Sequence, residues 1–155
     1  MNVRWLNGDT SVMELSPASL HLVDHARIAH LATADQYARP HSVPVVFVRG
    51  EGRLYFPLDR KPKRDDDWHT LRRVRNIETN GRVSIVVDTY DEDWSKLAWV
   101  LLEGIATILE SGAERDTAAT ALAAKYPQYQ GGGLDGRPVV RVAIERAVEW
   151  SAAGT

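Results

Sequence analysis

Residues 41–58 read HSVPVVFVRGEGRLYFPL, and this stretch decides the fold. Residues 41–49 and 53–58 are rich in β-branched or aromatic side chains, which favour extended strands. Gly50-Glu51-Gly52 lies between them and is typical of a turn that reverses the chain. The stretch therefore predicts two antiparallel strands joined as a hairpin.

The chain on either side of this hairpin adds more strands and three short helices. The further strands are predicted at residues 27–34, 82–90, 96–110 and 138–145, with Gly104 marking a bulge or bend in the third of them. The helices are predicted from Ser16-Pro17 to about Ala26, over Leu71–Ile77, and from a capping box at Ser111–Glu114 to about Tyr126. Six or so antiparallel strands with inserted helices indicate a mostly β barrel, and no GxGxxG motif supports a Rossmann fold.

Length and composition agree with one folded domain over residues 1–155. Hydrophobic residues make up 44% of the chain and charged residues 26%, as in ordinary globular proteins. The longest apolar runs, Val43–Val48 and Leu97–Leu102, are six residues each, whereas a membrane helix needs about 20. We therefore expect a cytoplasmic protein without membrane contact. Because the chain has no cysteine, disulfides, thiolate metal sites and cysteine nucleophiles are excluded, so any redox chemistry requires a bound cofactor.

Charge is concentrated in one segment. The net charge is −2, yet residues 60–75 hold seven basic and three acidic side chains. The bases are Arg60, Lys61, Lys63, Arg64, Arg72, Arg73 and Arg75. A compact basic feature on an acidic protein favours capture of a discrete anion such as a phosphate. A solvated helix face is the alternative, and nucleic acid is disfavoured because a broad basic surface with interleaved aromatic residues is missing.

Five stretches, taken in order, resemble a known family. They are residues 30–35 (HLATAD), 39–45 (RPHSVPV), 54–61 (LYFPLDRK), 71–77 (LRRVRNI) and 82–88 (RVSIVVD). Together they are similar to the flavin and deazaflavin oxidoreductases of the pyridoxamine 5′-phosphate oxidase-like split β-barrel superfamily. The nearest branch is the actinobacterial one that uses the deazaflavin F420. The resemblance implies a homodimer whose cofactor lies in a groove between the subunits.

The resemblance also implies which residues hold the cofactor. Ser42, Val43 and Pro44 would flank its ring, Pro57, Leu58 and Asp59 would line the ribityl chain, and Lys61, Lys63, Arg72 and Arg73 would meet its phosphate. The implied activity is hydride transfer from reduced F420 to a small conjugated organic substrate. An FMN-dependent oxidase or reductase, and a non-catalytic flavin- or haem-binding protein, remain the alternatives.

The chain departs from the family pattern at three places. Ala38 stands where a glycine is common in the first turn, Asn80-Gly81 replaces a frequent Asn-Pro, and the loop at residues 62–68 is longer. No catalytic residue is assigned. His41 adjoins the implied ring position and is a candidate proton donor, although a strand-end histidine bonded to backbone is the more ordinary role. The histidine spacing indicates no metal site.

Overall fold

The computed structural model describes residues 14–59 and 67–154 in full and, ahead of them, the backbone of Arg4–Trp5. These residues form eight strands and three α-helices. The strands are β1 (Arg4–Trp5), β2 (Ala29–Ala34), β3 (Pro40–Val45), β4 (Val48–Gly50), β5 (Arg53–Pro57), β6 (Arg82–Thr89), β7 (Ala98–Leu109) and β8 (Val139–Ser151); the helices are α1 (Pro17–His25), α2 (Arg72–Thr79) and α3 (Ala113–Lys125). Among the described residues, no helix combines the length and apolar composition needed to cross a membrane.

The strands form one antiparallel sheet that curls into a barrel. Their order is β3-β2-β6-β7-β8-β5-β4, with β1 beside β8. Strands β3 and β4 occupy opposite edges of this order, yet only Val46 and Phe47 separate them in the chain. Three peptide links span at most about 11 Å, so the sheet must bend until its edges approach each other. The predicted mostly β split barrel is confirmed, with eight strands instead of about six.

Alternate residues of each strand fill the barrel. On β6, Val83, Ile85 and Val87 are buried, whereas Ser84 and Val86 are half-buried on the opposite side. We call these two sides the inner face and the outer face of the sheet. The alternation follows from the two-residue repeat of side-chain direction in a strand.

Helix α1 begins where the sequence predicts and is tied to β8. The hydroxyl of Ser16 accepts a hydrogen bond from the Ser19 N–H at 3.2 Å, which caps the helix. The N–H and the hydroxyl of Ser16 both donate to the buried carboxylate of Glu149, at 2.9 and 3.1 Å. These bonds fix the start of α1 against the last strand.

The single strand predicted over residues 41–49 is wrong in one respect, because it divides into β3 and β4. The Phe47 N–H donates to the Tyr126 hydroxyl at 3.1 Å, and that hydroxyl lies 3.0 Å from the Phe47 carbonyl oxygen. A side chain thus takes the backbone groups that a neighbouring strand would otherwise bind. The hairpin itself is confirmed, since β4 pairs with β5 across the turn at residues 50–53.

The capping box predicted for α3 is also wrong. The helix is capped by Gly112 and has no side-chain cap bond. The Glu114 carboxylate accepts hydrogen bonds from the Tyr55 hydroxyl at 2.8 Å and from Arg141 at 3.1 Å, so it is drawn toward the sheet. The predicted helix end at Tyr126 is confirmed.

The irregularity predicted at Gly104 is confirmed, and the extra residue lies on β8. Glu103 pairs with Arg146 and Gly104 pairs with Ile144, so Glu145 has no partner on β7. Because the bulge interrupts the two-residue alternation, the sequence pattern ends there. This explains why the closing strand, predicted to end at Glu145, continues to Ser151.

The turn between β2 and β3 accounts for one departure from the family pattern. Ala38 has φ of +59°, a left-handed conformation that glycine adopts without strain. The Asp35 carboxylate holds the turn by accepting hydrogen bonds from the N–H groups of Tyr37 and Arg39 at 2.9 and 3.0 Å. The alanine therefore adopts a backbone conformation that glycine would adopt more easily, at some cost in strain.

Candidate functional site

Helix α2 brings its two leading arginines to the start of β3. Its apolar residues are buried in the core, and the Asn76 side chain donates a 2.9 Å hydrogen bond to the Thr33 hydroxyl in the interior. Thr33 is the register partner of His41. Arg72 and Arg73 consequently lie near enough to His41 for their charges to act on it. We call His41, Arg72 and Arg73 the cationic cluster.

The surroundings of His41 in this cluster disfavour the charged form of its imidazole. Burial lowers the pKa of its imidazole below the ordinary value, and the charges of Arg72 and Arg73 lower it further. Its Nδ1 atom is buried and has no hydrogen-bond partner among the described residues. The backbone hydrogen bond expected from the sequence is therefore missing at this atom. A buried unpaired ring nitrogen is costly and calls for a ligand or water.

Arg73, like His41, has a buried side-chain nitrogen without a hydrogen-bond partner among the residues described. This atom is Nε, on a side chain that is partly buried. Burial lowers the pKa of the guanidinium, while the negative charge of Asp59 opposes that shift. Arg72, one residue earlier, is exposed. The cluster thus offers one exposed guanidinium, one partly buried guanidinium and one imidazole to the same anion.

Asp59 is positioned from the other side of the site. The Tyr129 hydroxyl donates a 2.7 Å hydrogen bond to its carboxylate, and both burial and this carboxylate raise the pKa of Tyr129. Arg137 donates to the Leu58 carbonyl oxygen at 2.9 Å and to the Asp59 carbonyl oxygen at 3.4 Å. The end of β5 is therefore fixed in place before the chain continues toward α2.

The remaining residues implied for cofactor contact lie in two settings. Pro57 is buried, and Leu58 is fully enclosed in the core with its N–H donated to the Pro138 carbonyl at 3.0 Å. Ser42 and Pro44 are exposed on β3, whereas Val43 packs against the core between them. Because Ser42 and Pro44 are exposed on the outer face of β3, their side chains are open to a ligand.

The structure thus gathers some implied site residues and leaves others apart. His41, Arg72, Arg73 and Asp59 come together. Lys61 and Lys63 lie outside the described residues. Sequence reasoning missed the support that Tyr129 and Arg137 give to Asp59; the only available signal was the looser family match at residues 125–129.

The site can bind an anion and orient what is attached to it. Guanidinium groups form charge-assisted, paired hydrogen bonds with phosphate oxygens, and a neutral imidazole can add a donor or accept a proton. Within residues 14–59 and 67–154, no three histidine, aspartate or glutamate side chains approach one another as a metal site requires.

Known proteins with a similar fold support this description of the chain. The family model described as pyridoxamine 5′-phosphate oxidase matches residues 15–151. A conserved hypothetical protein of Mycobacterium tuberculosis is 19% identical with a TM-score of 0.71, covering 95% of this chain and 91% of that one. The haem storage protein HutZ of Vibrio cholerae is 19% identical with a TM-score of 0.68, covering 88% and 94%.

A FAD-binding protein of Mesorhizobium loti is 22% identical with a TM-score of 0.63, covering 97% of this chain and 100% of that one. At these identities the likeness shows the fold alone. A search of curated proteins finds no significant match.

Proposed function

Because the chain belongs to the pyridoxamine 5′-phosphate oxidase family, we propose that it is a cytoplasmic oxidoreductase that transfers hydride from reduced F420 to a small conjugated organic substrate. The family includes flavin-binding oxidoreductases, so a cofactor with a ribityl phosphate is the common element of this proposal. The fold by itself does not select a function, and the proposal therefore depends on the site.

One observation carries the proposal: the two buried, unpaired nitrogens of the cationic cluster. Nδ1 of His41 and Nε of Arg73 both lack partners among the described residues. Arg72 and Arg73 would offer charge-assisted hydrogen bonds to a phosphate bound at the cluster. Leaving buried polar atoms unpaired costs about 1–3 kcal/mol each, which favours a cluster that takes a ligand.

In this proposal the protein binds the cofactor and orients it. Arg72, Arg73 and His41 would hold the phosphate, and Ser42 and Pro44 would border the ring along the open edge of β3. Asp59, fixed by the Tyr129 hydroxyl at 2.7 Å, would accept hydrogen bonds from the ribityl hydroxyls. When bound, the deazaflavin supplies the hydride, so no protein nucleophile is needed.

Charge favours F420 over FMN. The phosphate of F420 continues into a lactyl group and glutamate carboxylates, whereas FMN ends at its phosphate. The bases fall into two sequence groups, residues 60–64 and 72–75, and the first group would serve the carboxylate tail. Contacts of exposed charges to such a tail are weak individually and are screened by salt.

Paired titrations of F420 and FMN, at low and high salt, test the proposal. We expect F420 to bind at least about 10-fold more tightly than FMN at low salt, with the larger loss of affinity as salt rises. If FMN binds as tightly as F420, or if the two affinities depend equally on salt, the FMN-dependent alternative is favoured. Tight binding of haem alone, seen in the visible spectrum, would favour the non-catalytic alternative. A haem storage protein has a similar fold.

We also propose that the protein works as a homodimer. Several half-buried apolar side chains lie on the outer face of the barrel, where described residues do not cover them completely. They are Val86, Trp99, Leu101 and Trp150. Val86 pairs with Leu101, and Trp99 pairs with Trp150, so they form one continuous patch. Apolar patches of this kind mark interfaces, and stable dimers often bury over about 2,000 Å².

Sedimentation velocity at micromolar concentration checks the dimer. We expect wild-type protein to sediment as a dimer and the L101E variant as a monomer, because a carboxylate would be buried without a partner at the centre of the patch. The control is T107E on the same strand, where the side chain is exposed. A monomeric wild type, or equal effects of both substitutions on sedimentation, would contradict the proposed homodimer.

A further inference from the structure

Lys125, the last residue of α3, places its amine against aromatic rings at the margin of the core. Its Nζ atom lies 4.2 Å from the centroid of the Phe47 ring and 5.5 Å from the centroid of the Tyr126 ring. Phe47 and Tyr126 are buried, and Lys125 is half-buried. Lysine side chains usually keep their ammonium group in water. The two rings remove part of that water from this amine.

No carboxylate among the described residues forms an ion pair with this amine. Asp24 is the acidic residue whose charge acts on Lys125, and its carboxylate binds Arg49 at 2.7 and 2.8 Å. Arg27 brings a second positive charge, because it donates to the Lys125 carbonyl oxygen at 2.9 Å and its guanidinium lies 4.4 Å from the centroid of the Tyr126 ring. Two cations therefore share one aromatic ring without a carboxylate between them.

These surroundings favour an amine that loses its proton easily. Burial of the amine, and then the charge of Arg27, lower the pKa of Lys125 to about 8, whereas the charge of Asp24 opposes this shift. The face of the Phe47 ring also attracts the ammonium and opposes the loss of a proton. A partly desolvated lysine beside another cation is nevertheless one of the arrangements by which proteins obtain a nucleophilic amine.

Lys96 has the opposite surroundings and is the natural comparison. Its Nζ atom lies 3.6 Å from both Asp91 and Asp93, and its side chain is 63% exposed. An ammonium paired with carboxylates stays charged and is a poor nucleophile. Lys61 and Lys63, the other two lysines of the chain, lie outside the described residues.

The position of Lys125 gives a change at its amine a structural consequence. We call Val46 and Phe47, which separate β3 from β4, the strand joint. The Tyr126 hydroxyl accepts a hydrogen bond from the Phe47 N–H at 3.1 Å and lies 3.0 Å from the Arg27 carbonyl oxygen. The amine of Lys125 therefore lies over the ring of a joint residue, and the next residue in the chain binds the backbone of that joint.

We propose that Lys125 is a site of acylation by acyl phosphates and that acylation loosens the strand joint. The neutral Nζ attacks the acyl carbonyl carbon and forms a C–N bond. The C–O bond to phosphate breaks, phosphate leaves with the electron pair, and the nitrogen releases a proton to solvent. The product is an uncharged amide, so the attraction between the ammonium and the Phe47 ring is lost. This chemistry does not depend on which cofactor the protein binds.

Acetyl phosphate is the probe, and peptide mapping by mass spectrometry gives the initial rate of acetylation at each lysine. We expect Lys125 to react at least about 10-fold faster than Lys96 at pH 7.5. At that pH a pKa of about 8 leaves roughly a quarter of the amine neutral, against about 0.1% for an ordinary lysine. An equal or slower rate at Lys125 than at Lys96 would overturn the proposal.

The pH profile separates proton loss from simple exposure. Only the neutral amine reacts, so both rates rise with pH. The rate at Lys125 should level off above about pH 9, whereas the rate at Lys96 should still be rising at pH 10. Parallel profiles at the two lysines up to pH 10 would also overturn the proposal.

A pair of arginine variants tests the surroundings of the amine. R27Q removes the neighbouring positive charge, so it should slow acetylation of Lys125 about 2- to 5-fold at pH 7.5 and leave the rate at pH 10 unchanged. R39Q is the matched control, because this arginine lies 5.2 Å from the centroid of a different ring, that of Tyr37, in the turn between β2 and β3. Equal rates in the two variants at pH 7.5 would contradict the effect assigned to Arg27.

Thermal unfolding tests the consequence for the strand joint. K125Q removes the charge as acetylation does, and we expect it to lower the Tm by about 1–4 °C, whereas K125R should stay close to wild type. K96Q is the control for loss of a lysine charge elsewhere. If K125Q lowers the Tm no more than K96Q does, the link between Lys125 and the strand joint is overturned.

Discussion

Replacing Arg72 and Arg73 together by alanine is expected to weaken cofactor binding at least about 100-fold and to leave the protein folded. Hydrogen bonds to a charged group contribute about 1.5–3 kcal/mol each, which corresponds to roughly 10- to 100-fold in affinity for each arginine. The fold should survive because α2 is held by its buried face and by the Asn76 bond to Thr33 at 2.9 Å.

The matched control removes the same charge elsewhere. R75A combined with R82A also deletes two positive charges, from an exposed position of α2 and an exposed position of β6. If only overall charge mattered, both double variants would lose equal affinity. Isothermal titration of each cofactor, with circular dichroism as the fold check, separates the two cases. Unchanged affinity in folded R72A/R73A would contradict the phosphate site.

A single substitution refines the result. R73K keeps the positive charge but removes the Nε atom that is buried without a partner among the described residues. Lysine acts as a point charge, whereas arginine presents a planar pair of donors to phosphate. We expect R73K to recover only part of the affinity lost in the alanine variant.

Local patterns were sufficient to predict most of the fold. The hairpin at Gly50–Gly52, the cap at Ser16 and the apolar repeat of α2 all depend on near neighbours in sequence, and all three are confirmed. The errors depend on distant contacts. Nothing near Phe47 shows that Tyr126, 79 residues later, takes its backbone groups and ends β3. The pairing of Glu114 with Tyr55, 59 residues away, displaces the expected cap in the same way.

The residues of the site also differ in whether local sequence was sufficient to predict them. The charge pattern and spacing of α2 indicate Arg72 and Arg73 directly, because an amphipathic helix with a basic face is a local feature. The Tyr129 hydroxyl that supports Asp59 comes from a residue 70 positions away in the chain. Sequence reasoning therefore found the charges of the site and missed the neighbours that orient them.

Replacing Gly104 by alanine is expected to cost more than about 3 kcal/mol of folding free energy. A Cβ at this position would overlap the Ala143 carbonyl oxygen and would lie 2.9 Å from its carbon and 3.0 Å from the Ile144 Cα. These atoms belong to the backbone of β8 at the bulge, so they cannot rotate away as a flexible side chain would. Relief requires β7 and β8 to separate, which breaks ladder bonds in the central pair of the barrel.

The control is Gly52, where the backbone conformation and not a close contact favours glycine. Gly52 has φ of +61° in the turn between β4 and β5, and nothing lies within 4 Å of a Cβ built there. G52A should therefore cost only the strain of a left-handed alanine, about 1–2 kcal/mol. Urea unfolding of both variants measures the difference. If G104A proves no less stable than G52A, the close approach of β7 and β8 at the bulge is not what requires glycine, and the barrel must tolerate a wider spacing there.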